Sequence, residues 1–222
     1  MKNRVITLLS ILAIATAQVS CKSDTKKTEA TEAEPVAVSE VTAVKYKIDT
    51  TNSVIEWKGF KPTGTHNGTV KIDMGVLTTE DGTLTSGTVV IDMNSITALD
   101  VEGDQKTNLE AHLKGTVKGK EGDFFNVTEF PSAGFEVTDV STDEAGKHVL
   151  SGNLSLKGIK KNVSFPVVIT TTGNELTLVS EPFTIDRTQW GINYGSKSIF
   201  DNLGDKFIND GMELKISVKA TK

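Results

Sequence analysis

From about Lys45 onward, apolar and polar residues alternate with a period of two. The pattern is clearest at the carboxyl end. Met212, Leu214, Ile216, Val218 and Ala220 share one face, and Glu213, Lys215, Ser217 and Lys219 share the other. Successive side chains of a strand point to opposite sides, so this alternation predicts a half-buried strand. Similar inward faces fall at Gly68, Val70, Ile72 and Met74, at Val89, Ile91 and Met93, at Leu150, Gly152, Leu154 and Leu156, and at Val163, Phe165, Val167 and Ile169. Runs at Val54–Phe60, Gly134–Val140 and Leu176–Ile185 bring the total to about eight strands. Pro166 cannot donate to a ladder, so its strand lies at an edge or is bulged there. Turn-forming residues at 79–82, 144–146 and 172–174 separate neighbouring runs. Short hairpins between strands point to an all-β antiparallel sandwich or barrel. One segment departs from the pattern. Residues 104–118 are rich in helix formers, with Leu109 and Leu113 four apart, which predicts a short helix near 105–118.

The first 44 residues read differently. Met1–Ser20 opens with Lys2 and Arg4, continues uncharged from Val5 to Ala17, and ends in the slim Val19 and Ser20. This is the pattern of a secretory signal peptide, and the apolar stretch falls short of the roughly 20 residues that a membrane span needs. Cys21, the one cysteine of the chain, follows at once. A cysteine directly after a cleaved leader resembles the lipobox of bacterial lipoproteins, where the thiol is alkylated by diacylglycerol. Gln18 stands where that signal usually carries leucine. The other reading is an ordinary secretory leader that leaves a free thiol. Residues 21–44 then form the lipidated cysteine and a tether. The tether is rich in Thr, Ala, Glu and Lys and has no aromatic residue, so it buries too little apolar area to offset its ordering entropy and is expected to be disordered. The folded domain is expected over 45–222.

Removing the leader leaves 202 of the 222 residues and moves the net charge from −5 to −7. An acidic chain offers no basic face to phosphates, which argues against a nucleic-acid partner. A single cysteine allows no disulfide within the chain, so stability has to come from a core.

The chain shows no catalytic constellation. His66, His112 and His148 are far apart and lack partners at metal-ligand spacing. No Gly-x-Ser-x-Gly elbow and no glycine-rich phosphate loop occurs. We therefore expect no catalytic residue, no metal, no cofactor and no enzymatic activity. Asp186 and Arg187 are adjacent, so on a strand they face opposite ways. Arg187 either binds a ligand head group or closes a barrel end by bonding carbonyls and a carboxylate. The inward aromatics either fill a core or line a pocket, and periodicity does not separate the two.

Four stretches together resemble the YceI-like family of bacterial lipid- and polyisoprenoid-binding periplasmic proteins. They are Tyr46–Trp57 (YKIDTTNSVIEW); Ala111–Lys114 (AHLK) with Phe124–Val127 (FFNV), Phe130 and Pro131; Gly152–Gly158 (GNLSLKG) with Val163–Pro166 (VSFP); and Phe183–Gly191 (FTIDRTQWG) with Asp210–Leu214 (DGMEL). The chain departs from the family at Lys106–Glu110, where an Arg-Asp pair is usual, at Asn126 in place of Asp, and at Phe130 in place of Tyr. The resemblance implies a lipocalin-like antiparallel β-barrel with an elongated apolar cavity. Its ligand would be an apolar lipid: a polyisoprenoid, a quinone-like molecule or a fatty chain. Cavity candidates are Trp57, Phe60, Phe124, Phe125, Phe135, Leu154, Phe165, Phe183, Trp190 and Met212, with His112 and Arg187 as head-group candidates. A homodimer is left open. The expected function is an envelope-anchored lipid-binding protein, exported and held by Cys21 at a membrane facing the periplasm or cell surface. The alternative is a structural or stress-related envelope protein with a filled barrel, acting through protein contacts.

Overall fold

A computed structural model describes residues 26–222. The leader and Cys21 lie outside the described residues. Two short strands come first, β1 (Lys26–Lys27) and β2 (Thr31–Glu32). The barrel strands are β3 (Val44–Ile48), β4 (Val54–Lys61), β5 (Gly64–Glu80), β6 (Thr83–Ala98), β7 (Ser132–Thr142), β8 (His148–Leu156), β9 (Ile159–Thr172), β10 (Glu175–Ser180), β11 (Phe183–Asp186) and β12 (Gly211–Thr221), with one helix, α1 (Gly103–Lys114), after β6.

All twelve strands belong to one sheet. β5 to β9 pair antiparallel in chain order, by hairpins except between β6 and β7, where α1 and the loop after it intervene. β3 and β4 lie end to end on β5, and both also pair with β12. β10 and β11 likewise lie end to end on β12. The result is a ring of eight strand positions that is not evenly a barrel. The antiparallel, lipocalin-like architecture expected above is what the chain adopts.

The inward faces follow the alternation, since Val70, Ile72, Val89, Ile91, Met93, Leu150, Leu154, Val163 and Phe165 are all buried. Met74 is the exception, at 57% exposure. The register of β5 on β6 shifts between Ile72 and Met74, which turns Met74 outward and Leu77 inward. The run at 176–185 is two strands rather than one, because Pro182 ends the pairing of β10 before β11 begins. Helix α1 stops at Lys114, four residues short of the expected end. Gly115 takes a left-handed φ of 72°, and its N–H and that of Thr116 turn back to the carbonyls of His112 and Ala111. At the hairpin of β5 and β6, Asp81 and Gly82 both have positive φ, the backbone that a two-residue Asp-Gly turn requires.

The largest correction concerns the segment expected to be a disordered tether. From Lys26 it is ordered, pairing first with the edges of β11 and β9 and then bonding to β8, β7 and β6. β1 pairs in parallel with β11, and the Thr28 N–H donates to the Thr184 carbonyl at 2.8 Å. β2 pairs antiparallel with β9. Glu34 exchanges two hydrogen bonds with the Asn153 side chain, at 2.7 and 2.9 Å. Ala37 N–H reaches the Val137 carbonyl, and Ser39 bonds the hydroxyls of Thr85 and Ser86. Composition missed this arm because backbone and polar side-chain bonds hold it, rather than apolar burial.

Candidate functional site

Inside the ring, side chains of β4 to β12 line a cavity of about 130 Å³. All the lining residues are apolar. One end of the interior is filled. Tyr46, Ile48, Leu84, Leu176 and Ala220 are each at most 3% exposed and take no part in the lining. Farther along β12, Met212, Leu214 and Ile216 point inward yet are only half-buried, because they face open space instead of neighbours.

Seven of the expected residues line this cavity: Trp57, Phe125, Phe135, Leu154, Phe165, Phe183 and Met212. Local geometry sets their poses. Trp57 lies over Gly68, where an added Cβ would come within 2.7 Å of the indole and 1.8 Å of the Thr97 carbonyl. Its Nε1–H donates to the Thr69 carbonyl at 3.3 Å. Phe135 lies over Gly152, where an added Cβ would sit 2.2 Å from the ring. A missing side chain on the inner face is thus what makes room for each of these rings. Phe165 and Phe183 stack at 4.2 Å between ring centroids, with planes 3° apart. Phe125 enters from the loop after α1, its N–H held by the Leu113 carbonyl at 3.1 Å.

Five expected residues lie elsewhere. Phe60 is half-buried with the Lys58 ammonium 5.3 Å from its ring centre, and it is not part of the lining. Phe124 packs against His112 and Tyr194 outside the cavity, at 5.1 and 5.3 Å. Trp190 is fully buried and ties the end of the barrel by donating to the Leu154 carbonyl at 3.0 Å. His112 is hydrogen-bonded to Asp123 at 2.7 Å and does not touch the cavity lining. Arg187 is 4% exposed and spends its donors on the carbonyls of Asn209, Ile192, Tyr194 and Ile208. Burial pulls its pKa down, opposed by Asp210 and Asp186. The residue therefore closes the barrel end and has no free fork for a head group.

Other lining residues were absent from the expected set. Leu214 and Ile216 sit in an alternation already visible in the sequence, and a choice weighted toward aromatics passed them over. Leu77 and Ile96 face inward only because each follows a register shift between β5 and β6, which leaves no mark in the pattern. Two histidine–carboxylate pairs also form across the fold, His112 with Asp123 and His66 with Asp100, each at 2.7 Å. Among the described residues, no group of three or more His, Cys, Asp or Glu could hold a metal ion.

A family model described as the YceI-like domain matches residues 46–220. The chain belongs to the YceI-like family. Among curated relatives, UPF0312 proteins of Yersinia pestis and Yersinia pseudotuberculosis are 37% identical over 87 residues. That stretch is 39% of this chain and 38% of the relative, so the chain spans well under half the length of these matches. Among solved structures, Burkholderia cenocepacia BcnA superposes with a TM-score of 0.59 at 21% identity, covering 78% of this chain and 99% of that one. A polyisoprenoid binding domain from Saccharophagus degradans superposes with a TM-score of 0.55 at 13% identity, covering 79% and 97%. At such identities these likenesses speak for the YceI-like fold alone.

Proposed function

We propose that this YceI-like protein is an envelope-anchored lipid-binding protein. It holds an apolar amphiphile, such as a polyisoprenoid, a quinone-like molecule or a fatty chain, in the barrel cavity for transport, storage or sequestration. The observation that carries this reading is the cavity inside the barrel, about 130 Å³, with apolar side chains on every side. A filled barrel acting through protein contacts would leave no such space. The solved domain from Saccharophagus degradans, described as polyisoprenoid binding, supports the same ligand class.

The energetics fit an uncharged tail. Each buried CH₂ contributes roughly 0.8 kcal/mol, so a five-carbon isoprene unit gives on the order of 3–4 kcal/mol gross. A few units offset an association cost of about 4–15 kcal/mol. Binding of this kind needs a greasy enclosure and no nucleophile, which fits a binding protein better than an enzyme. Export by the Met1–Ser20 leader and lipidation of Cys21 would place the barrel beside a membrane.

Mass spectrometry of organic extracts from purified protein tests the reading. We expect an isoprenoid, quinone or fatty species at a fixed ratio to protein. Empty extracts from repeated preparations, together with no uptake of added lipid, would refute it. For the anchor, Cys21→Ser is expected to release the protein from membranes without unfolding it, read by fractionation and thermal melting.

A further inference from the structure

The wall of the ring has a seam between β9 and β11. The described residues show no backbone ladder joining these two strands. Two prolines account for the gap. Pro182 ends β10, and Pro166 accepts a hydrogen bond from the Glu181 N–H on the side facing the gap. A residue's N–H and C=O lie on the same side of a strand, so the donor that Pro166 lacks is missing on that side too. From Pro166 back to Ile159, β9 is therefore an edge, and the arm fills it. Thr28 spans the gap, with its N–H on the Thr184 carbonyl of β11 and its hydroxyl on the Ser164 carbonyl of β9 at 3.1 Å. On the inner side, the stacked rings of Phe165 and Phe183 close the same opening, and both rings line the cavity.

We propose that this seam is a lateral doorway to the cavity for apolar chains, and that residues 26–34 are its removable door. The inference rests on the lipid-binding reading above. Three features carry it. The door is held by two paired residues on each side, by Thr28, by the Glu32–Lys161 ion pair and by the Glu34–Asn153 bonds, whereas the β8–β9 wall beside it is a ladder of nine residue pairs. The sheet surface beneath it is polar. Ser151 bonds Ser164 and Asn162 bonds Asn153 there, so water can take over the polar contacts of the arm, whose Ala30 alone among its apolar residues packs on the core. Finally, Lys26 is five residues beyond Cys21, a contour of at most about 18 Å. An anchor on Cys21 would hold this seam, more than any other wall, against the bilayer that supplies the ligand.

The test uses the full chain carrying Cys21→Ser, which leaves no native thiol. Glu32 and Lys161 are Cα partners across the seam, so Glu32→Cys with Lys161→Cys gives a door that oxidation locks and reduction frees. The probe is cis-parinaric acid, a fluorescent polyene fatty acid delivered from phosphatidylcholine vesicles. Locking should slow both loading and release about tenfold or more at unchanged affinity, as gating of the rate requires. Thr28→Pro, which removes both bridging bonds, should speed both steps. Equal rates in the locked and reduced forms, with the probe still bound equally tightly, would overturn the doorway and leave the lipid-binding reading standing. No binding in any form would overturn both.

Discussion

The two ends of the interior are built from the same alternation and the same residue types, yet one is solid and the other hollow. A single strand shows the contrast. On β12, Ala220 is fully buried and away from the cavity lining, while Ile216, Leu214 and Met212 on the same face are half-buried against open space. A residue in the solid end touches neighbours on all sides and gains their dispersion contacts, whereas one in the hollow end lacks partners on its inner side. The filled end therefore supplies stability, and the hollow end supplies room. The two roles are separable by mutation.

Leu176→Ala in the solid end should cost about 2–5 kcal/mol, as deletion of a fully enclosed leucine does. Leu214→Ala in the hollow end should cost only about 1 kcal/mol, because part of its surface already lacks contacts. Urea unfolding of both variants checks the comparison, and equal losses would erase it. Gly152→Ala should come next, at about 1–3 kcal/mol, because the new Cβ has to push aside both the Phe135 ring and the Glu136 carbonyl, 2.8 Å away. The ring has space to yield into the cavity, so binding of cis-parinaric acid should weaken together with stability. A stability loss with unchanged binding would place Phe135 outside the ligand's path.

The smallest effect concerns a group away from both ends. Burial pushes the Asp100 carboxyl up, but the Asn67 N–H and the His66 ring outweigh it and hold the group below its ordinary 3.8. The unfolded chain then takes up the proton more readily than the folded one. Its contribution is present above about pH 4 and is lost as pH falls through the folded value. For so exposed a site it should stay under about 1 kcal/mol. Asp100→Asn should flatten the acid limb of stability by that amount in pH-dependent thermal melts.

Much of the barrel was legible because burial on one face imposes a period of two, and the Asp81–Gly82 turn carries its own backbone requirement. The end of α1 was legible in principle from Gly115, since helices commonly end on a glycine in the left-handed conformation it takes. Register shifts were not legible: Met74 and Ile96 obey the pairing of β5 with β6, and no neighbour in sequence reports it. The arm was hidden for a similar reason. Thr28, Glu32 and Glu34 find their partners at Ser164, Lys161 and Asn153, each more than a hundred residues away. The runs holding Trp57 and Leu176 both read as strands, without saying whether another side chain or empty space lies opposite each residue.

The same long-range pairing sets an order of events. A chain made from its amino end presents Thr28 long before Ser164 exists, and the ring closes only when Gly211–Thr221 reaches β3 and β4. The segment synthesised among the first is then among the last to settle, waiting on loop closures of more than a hundred residues. Such a fold condenses late and slowly, and a truncation that removes β12 should leave an open sheet running from β3 and β4 round to β10, with two unprotected edges.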